Sequence, residues 1–319
     1  MEPYPPIEPY ADGFLEVGTH RIYWEASGSP AGKPVVCLHG GPGASSTPGR
    51  RRSFDPRAYK IIQFDQRGAG RSTPSAGDLA TDLADNTTQH LIGDMEHLRE
   101  HLRVDRWMVW GASWGTALAL AYAEQFPQRV TELVLVSLAL TRHRDVHWFA
   151  HEAGRFLPAQ WQRFRAGVPE SERDGDLVAA YHRLLNHHAE PAVRIRASRD
   201  WCAWEDALLS LDDGYVVPNP RWSDERYRIG FARLVTHYFA HAAFLDEDQI
   251  LRDAHRLRGI RGVIIHGRFD IQGPADAAWQ LAQRWPDAEL MLLPTGHTGN
   301  AEMLARILEA GERFKNTGE

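Results

Sequence analysis

Residues 111–115 read Gly-Ala-Ser-Trp-Gly and sit between the apolar stretch 106–110 and the helix-forming run 116–126. A serine with a glycine two places away on either side, at the seam of a strand and a helix, has the pattern of a nucleophile elbow. The tight turn lifts the side chain above the sheet, and the small residues Gly111 and Gly115 let neighbouring backbone come close. The helix behind it offers free N–H groups and a positive dipole end to a developing oxyanion. The chemistry this suits is acyl transfer through Ser113. A serine hydroxyl attacks well only when a base takes its proton, and a carboxylate must orient that base. In chains carrying this elbow the order is Ser, then Asp or Glu, then His. His297, in Pro-Thr-Gly-His-Thr-Gly, is the only histidine after residue 266 and follows the last expected strand. Asp270 stands just beyond the carboxyl end of the strand in Ile-Ile-His-Gly-Arg-Phe-Asp, where open α/β sheets place functional groups. Asp276 and Asp287 fall in or after the next helix and are poorer candidates. The oxyanion hole needs two backbone N–H groups, for which Trp114 and Gly41 of the His-Gly-Gly-Pro-Gly loop are the expected donors.

The glycine loop has neither a Gly-Lys-Ser/Thr ending nor the G-x-G-x-x-G spacing, so nucleotide binding is set aside. His237 and His241 have the i, i+4 spacing of a zinc helix, yet the segment between them lacks the glutamate of H-E-x-x-H. No metal and no cofactor is therefore expected. The basic run Arg50–Arg52 reads as a solvated loop. The tryptophans between Trp148 and Trp222 read as filling for a helical core, with some lining a cleft beneath it.

These residues require a particular scaffold. The stretch 14–27 alternates as an antiparallel hairpin does, whereas 33–40 and 59–65 are continuous apolar runs of the kind buried parallel strands need. Leu91, Met95, Leu98 and Leu102 recur at helical spacing, with Asn86 and Gln89 offering capping-box chemistry at the start. Strand, helix and strand follow over 106–138, the helix stopped by Pro127. From Thr141 to Arg258 the pattern becomes helical, charged and aromatic. Strand and helix alternation then resumes, ending in a helix that carries Met303, Leu304, Ile307 and Leu308. The expected fold is α/β, a mostly parallel sheet flanked by helices, with residues 1–140 and 259–319 as core and 141–258 as an inserted all-helical cap.

With 43% hydrophobic and 24% charged residues among 319, the chain has a globular composition. Its formal charge of −6 offers nothing that would draw the whole molecule to nucleic acid or anionic membrane. The longest apolar run, eight residues from Leu133, is far below the ~20 that span a bilayer. The acidic, proline-rich start has no basic or apolar leader pattern, and two cysteines, Cys37 and Cys202, suit reduced thiols, so a cytoplasmic location is expected.

Taken together, His-Gly-Gly-Pro-Gly, Phe-Asp-Gln-Arg-Gly-Ala-Gly-Arg-Ser-Thr-Pro, Asp-Asn-Thr-Thr, the elbow with its helix, the "TELVL", "WFAHEAG" and "DQILRDAHR" stretches, and His-Gly-Arg-Phe-Asp resemble the proline iminopeptidases (prolyl aminopeptidases) of the α/β-hydrolase fold. The resemblance runs from about residue 34 to 297. It implies cleavage of an N-terminal proline from a small peptide or amide, and it places the family's nucleophile, acid and base on Ser113, Asp270 and His297. An aminopeptidase must also recognise a free amine, which a buried carboxylate can do. By the resemblance one such glutamate falls on Glu205, while the second is replaced by Val235. Trp148 and Phe239 fall in family segments expected to line the substrate site. Ala139, Leu140 and Thr141 stand where bulkier residues usually wall the proline pocket, and Gly273 where a cysteine is common. The resemblance thus implies retained chemistry with a wider, less acidic pocket. An amidase or esterase for a bulkier small molecule is the alternative, and a non-catalytic binding module on the same scaffold is a third reading.

Overall fold

The computed structural model describes residues 2–316. Among them eight strands form one sheet: β1 (Pro9–Val17), β2 (His20–Gly28), β3 (Lys33–Leu38), β4 (Tyr59–Phe64), β5 (Trp107–Ala112), β6 (Val130–Val136), β7 (Arg261–Gly267) and β8 (Ala288–Leu293). Their spatial order is β1-β2-β4-β3-β5-β6-β7-β8. The first two pairings, β1 with β2 and β2 with β4, are antiparallel, and every later pairing is parallel. Helices α1 (Pro48–Arg51), α2 (Thr88–His101) and α3 (Trp114–Gln125) fall within the first six strands. Between β6 and β7 come α4 (His143–Ala150), α5 (Pro158–Ala166), α6 (Leu177–Asn186), α7 (Pro191–Leu209), α8 (Glu225–Ala240) and α9 (Gln249–Asp253). Helices α10 (Asp276–Ala282) and α11 (Ala301–Phe314) complete the core.

The central strands are apolar throughout because both faces are covered. With a period of two, Val36, Leu38, Val109, Leu133, Leu135 and Ile264 join the cluster under α2, α3 and α10. Val35, Cys37, Met108, Trp110, Val134, Val263 and Ile265 join the opposite cluster with Met303, Ile307 and Phe314 of α11. Helix α3 is buried along nearly its whole length and ends at Phe126, before Pro127. The helical insertion has a third apolar cluster of its own, including Phe164, Tyr181, Trp201, Trp204 and Val235. No helix among the described residues is long and apolar enough to cross a membrane.

Two local expectations are corrected. The cap of α2 is Thr87, whose hydroxyl accepts the His90 N–H, and not Asn86. Asn86 is drawn inward, 1% exposed, with its carbonyl accepting from the ring of His237 at 3.1 Å, while Gln89 reaches the Phe244 carbonyl instead. The run Arg50–Arg52 is not a solvated loop either. Arg51 is buried and donates through Nε and Nη2 to Glu25, and the Arg50 guanidinium lies 3.7 Å over the Trp110 ring.

Candidate active site

Ser113 sits between β5 and α3 with φ 54° and ψ −127°, a conformation that costs a non-glycine residue about 1 to 3 kcal/mol and must be held by its surroundings. Its N–H donates to the Val136 carbonyl at 2.9 Å. Its own carbonyl accepts both the N–H and the hydroxyl of Thr116, at 2.8 and 2.7 Å. The Thr116 hydroxyl in turn accepts the Ala139 N–H at 2.9 Å, which ties the elbow to the loop after β6. The glycine spacing has a steric cause. A Cβ on Gly111 would stand 2.3 Å from the Gly115 carbonyl oxygen, and one on Gly115 would stand 2.4 Å from that of Leu38.

His297 Nε2 lies 3.0 Å from Ser113 Oγ, placed to accept its proton, and His297 Nδ1 donates to Asp270 Oδ2 at 2.7 Å. The other carboxylate oxygen of Asp270 accepts the N–H groups of Gln272 and Gly273 at 3.0 and 2.8 Å, so the acid cannot rotate away. Burial works against charge on both partners, but the pair outweighs it: Asp270 is held below the ordinary carboxylate range and His297 above the ordinary imidazole value. The loop that carries His297 is fixed from two sides. The Ser137 hydroxyl donates to the His297 carbonyl at 2.6 Å, and the Thr298 N–H donates to Asp212 of the helical insertion at 2.5 Å. His266, fully buried, donates Nε2–H to the Gly273 carbonyl and accepts the Leu138 N–H, bracing the acid loop.

Gly41, in a φ of 115°, and Trp114 line the same cavity as Ser113, as an oxyanion hole requires. Gln66 joins their loops. Its side chain accepts the Trp114 indole N–H at 2.9 Å and donates to the His39 carbonyl at 2.9 Å, and its backbone N–H donates to His39 Nε2. The Asp65 carboxylate beside it takes the N–H groups of Ser46 and Arg71. These contacts give the Asp-Gln-Arg-Gly stretch a mechanical task that its composition does not reveal.

The cavity at Ser113 measures about 60 Å³. A single water needs roughly 10 to 15 Å³ on this scale, so this space holds a small group. A second cavity, of about 440 Å³, opens on the other side of Ser113 beside His297 and Met303. Ala139, Thr141, Gly273, Phe239 and Glu205 all line the smaller cavity. Val235 and Trp148 do not. Val235 is fully buried in the apolar cluster of the insertion, and Trp148 turns its indole N–H to the Ile271 carbonyl at 2.8 Å. Phe149 and Gln272, which sequence reasoning missed, line the wall instead; Gln272 lies two residues after Asp270, and that adjacency is the one local signal for it. The buried tryptophans of the insertion, Trp201 and Trp204, fill its core. Glu205 is 5% exposed; burial pushes its carboxyl up to about 7 against the hydrogen bonds from Trp201 Nε1 (3.1 Å) and Gln272 Nε2 (2.5 Å). A buried carboxylate thus faces the cavity that holds Ser113.

Residues 33–302 match the family model described as alpha/beta hydrolase fold. The chain is 46% identical to a protein of Streptomyces coelicolor named "probable proline iminopeptidase", covering 100% of this chain and 99% of that protein. It is 45% identical to the proline iminopeptidase of Xanthomonas citri, covering 96% and 98%, and 42% identical to that of Arabidopsis thaliana, covering 98% and 82%. The crystal structure of a Mycobacterium smegmatis proline iminopeptidase shares the fold, with a TM-score of 0.60 at 17% identity over 96% of this chain and 99% of that one. The elbow, the strand order and the full-length similarity converge: the chain belongs to the proline iminopeptidase family of the α/β-hydrolase fold.

Proposed function

We propose that the protein releases N-terminal proline from small peptides or amides through an acyl-enzyme on Ser113. The observation that carries this reading is one small cavity that Ser113 and the buried Glu205 both line. In this reading His297 takes the hydroxyl proton as Ser113 Oγ attacks the carbonyl carbon, and Asp270 stabilises the imidazolium. The N–H groups of Gly41 and Trp114 hold the oxyanion. As the C–N bond breaks, His297 returns the proton to the leaving amine. Water, deprotonated by His297, then hydrolyses the ester and frees proline. Glu205 pairs with the substrate ammonium, while Phe149, Phe239, Ala139, Thr141 and Gly273 shape the ring's pocket.

Residues 1–140 and 259–319 form the hydrolase core in this reading, with 141–258 as the cap; the separate apolar cluster of the insertion supports the division. Two buried free thiols, Cys37 and Cys202, support a reducing, cytoplasmic setting.

The test is a panel of proline, alanine and leucine arylamides beside N-acetyl-proline arylamide and a neutral ester. Proline arylamide should be the best amide, with the N-blocked form at least about 30-fold slower in kcat/KM, and Ser113→Ala should remove turnover of all of them. Equal rates for free and blocked proline would replace this reading with that of a general amidase or esterase.

A further inference from the structure

Away from the cavity, α6 and α8 bring together three histidines that the sequence spacing alone did not assemble. His182 of α6 joins His237 of α8 and His241, which follows that helix, with one ring nitrogen from each within 4.8 Å of the others. The expectation of no metal ligands rested on the missing glutamate between His237 and His241, whereas the third imidazole comes from another helix. We propose that His182, His237 and His241 form a zinc site that ties α6 to α8.

Two observations support it. His182 Nε2 is buried without a hydrogen-bond partner, a state that a metal ion would relieve. His237 donates Nε2–H to the Asn86 carbonyl at 3.1 Å, and His241 donates Nδ1–H to the His237 carbonyl at 2.7 Å. Carbonyl acceptors of this kind fix the tautomer of a metal-binding imidazole and leave its other nitrogen free to ligate. Nitrogens bound to one tetrahedral Zn²⁺ at 2.0–2.1 Å lie about 3.3 Å apart, a closure within reach of modest side-chain rotation. The exposed position of His241 gives the ion a way in and leaves room for water as fourth ligand. Imidazole ligands without thiolate or carboxylate favour Zn²⁺ over Mg²⁺ or Ca²⁺.

The test uses the full-length chain without a histidine tag, stripped with chelator and desalted. Zn²⁺ binding is followed by calorimetry, and Co²⁺ binding by its visible absorption, for wild type, His241→Ala, His182→Gln and His147→Ala. His147 forms a separate stacked pair with His151, ring centroids 4.8 Å apart, and serves as the control. Wild type and His147→Ala should take up one Zn²⁺ per chain, give the strong bands of four-coordinate Co²⁺, and melt at higher temperature with zinc present. His241→Ala, which alters an exposed side chain and should fold normally, should bind more than about 10-fold more weakly, the scale on which loss of even an outer partner is felt. Zinc binding equal in wild type and His241→Ala, or lost in His147→Ala, would overturn the proposal.

Discussion

Replacing Glu205 by glutamine separates amine recognition from acyl transfer. The substitution keeps the shape and an acceptor oxygen for the Trp201 indole N–H, and a flip of the Gln272 amide lets its oxygen accept from the new NH2, so that the charge is what is lost. Because burial raises this carboxyl to about 7, the empty enzyme holds it close to half ionised at neutral pH, and an arriving ammonium pulls it to the charged form. In the variant the ammonium enters the same buried position with no counter-charge. A lost pairing of this kind costs about 2 to 5 kcal/mol, or roughly 30-fold to several thousandfold in kcat/KM for proline arylamide. A neutral ester makes no such contact and should be hydrolysed at about the wild-type rate. The pH profile gives a second reading of the same event. Below pH 7 the wild-type kcat/KM for proline arylamide should fall with two protonations, on Glu205 and His297, whereas the ester should show one. The assay is steady-state kinetics on both substrates from pH 5 to 9. An unchanged ratio of arylamide to ester hydrolysis in Glu205→Gln would show that this carboxylate does not read the amine.

Ester turnover isolates His297: its acid limb should lie above the free imidazole value of about 6.5, since pairing with Asp270 outweighs burial, and Asp270→Asn should move it down. A limb below pH 6 in wild type would contradict that pairing. Glu124, on α3, is 4% exposed; burial raises its carboxyl to about 9, and neither side-chain oxygen has a hydrogen-bond partner. Between pH 4.5 and 9 the unfolded chain releases this proton while the folded chain keeps it, so stability falls as pH rises through that window, by about 3 kcal/mol at pH 7. Glu124→Gln should therefore raise the melting temperature at pH 8 and have little effect at pH 5, as thermal unfolding at the two pH values would show; equal shifts at both would exclude the titration.

Ser113, Asp270 and His297 are legible in the sequence because each follows a strand recognisable from its own apolar run, and a parallel sheet delivers successive strand ends to one edge. The helical insertion is equally plain from the loss of strand patterning. Gln66, Asp212 and His182 are not, since their partners lie in other elements: Trp114 and His39, Thr298, and α8 respectively. Val235 shows the opposite limit. Its alignment with a family glutamate marked it for the cavity, but an apolar side chain on α8 packs into the cap core, and the wall there falls to Phe149 and Phe239. Asn86 likewise has the right chemistry to cap α2, yet the inward turn that serves His237 leaves capping to its neighbour.

The hydrogen bond from the Thr298 N–H to Asp212 bears on how such enzymes could be recombined. Ser113, Asp270 and His297 sit wholly on loops at strand ends, which suggests that the segment between β6 and β7 could be exchanged for another to change substrate. Asp212 belongs to that segment and grips the residue after His297. A transplanted cap without an acceptor at this point would leave the loop carrying the base less restrained, and the chimera would lose turnover even on substrates its new walls accommodate. Grafts that carry a carboxylate to the Thr298 N–H should therefore recover more activity than grafts chosen for pocket shape alone.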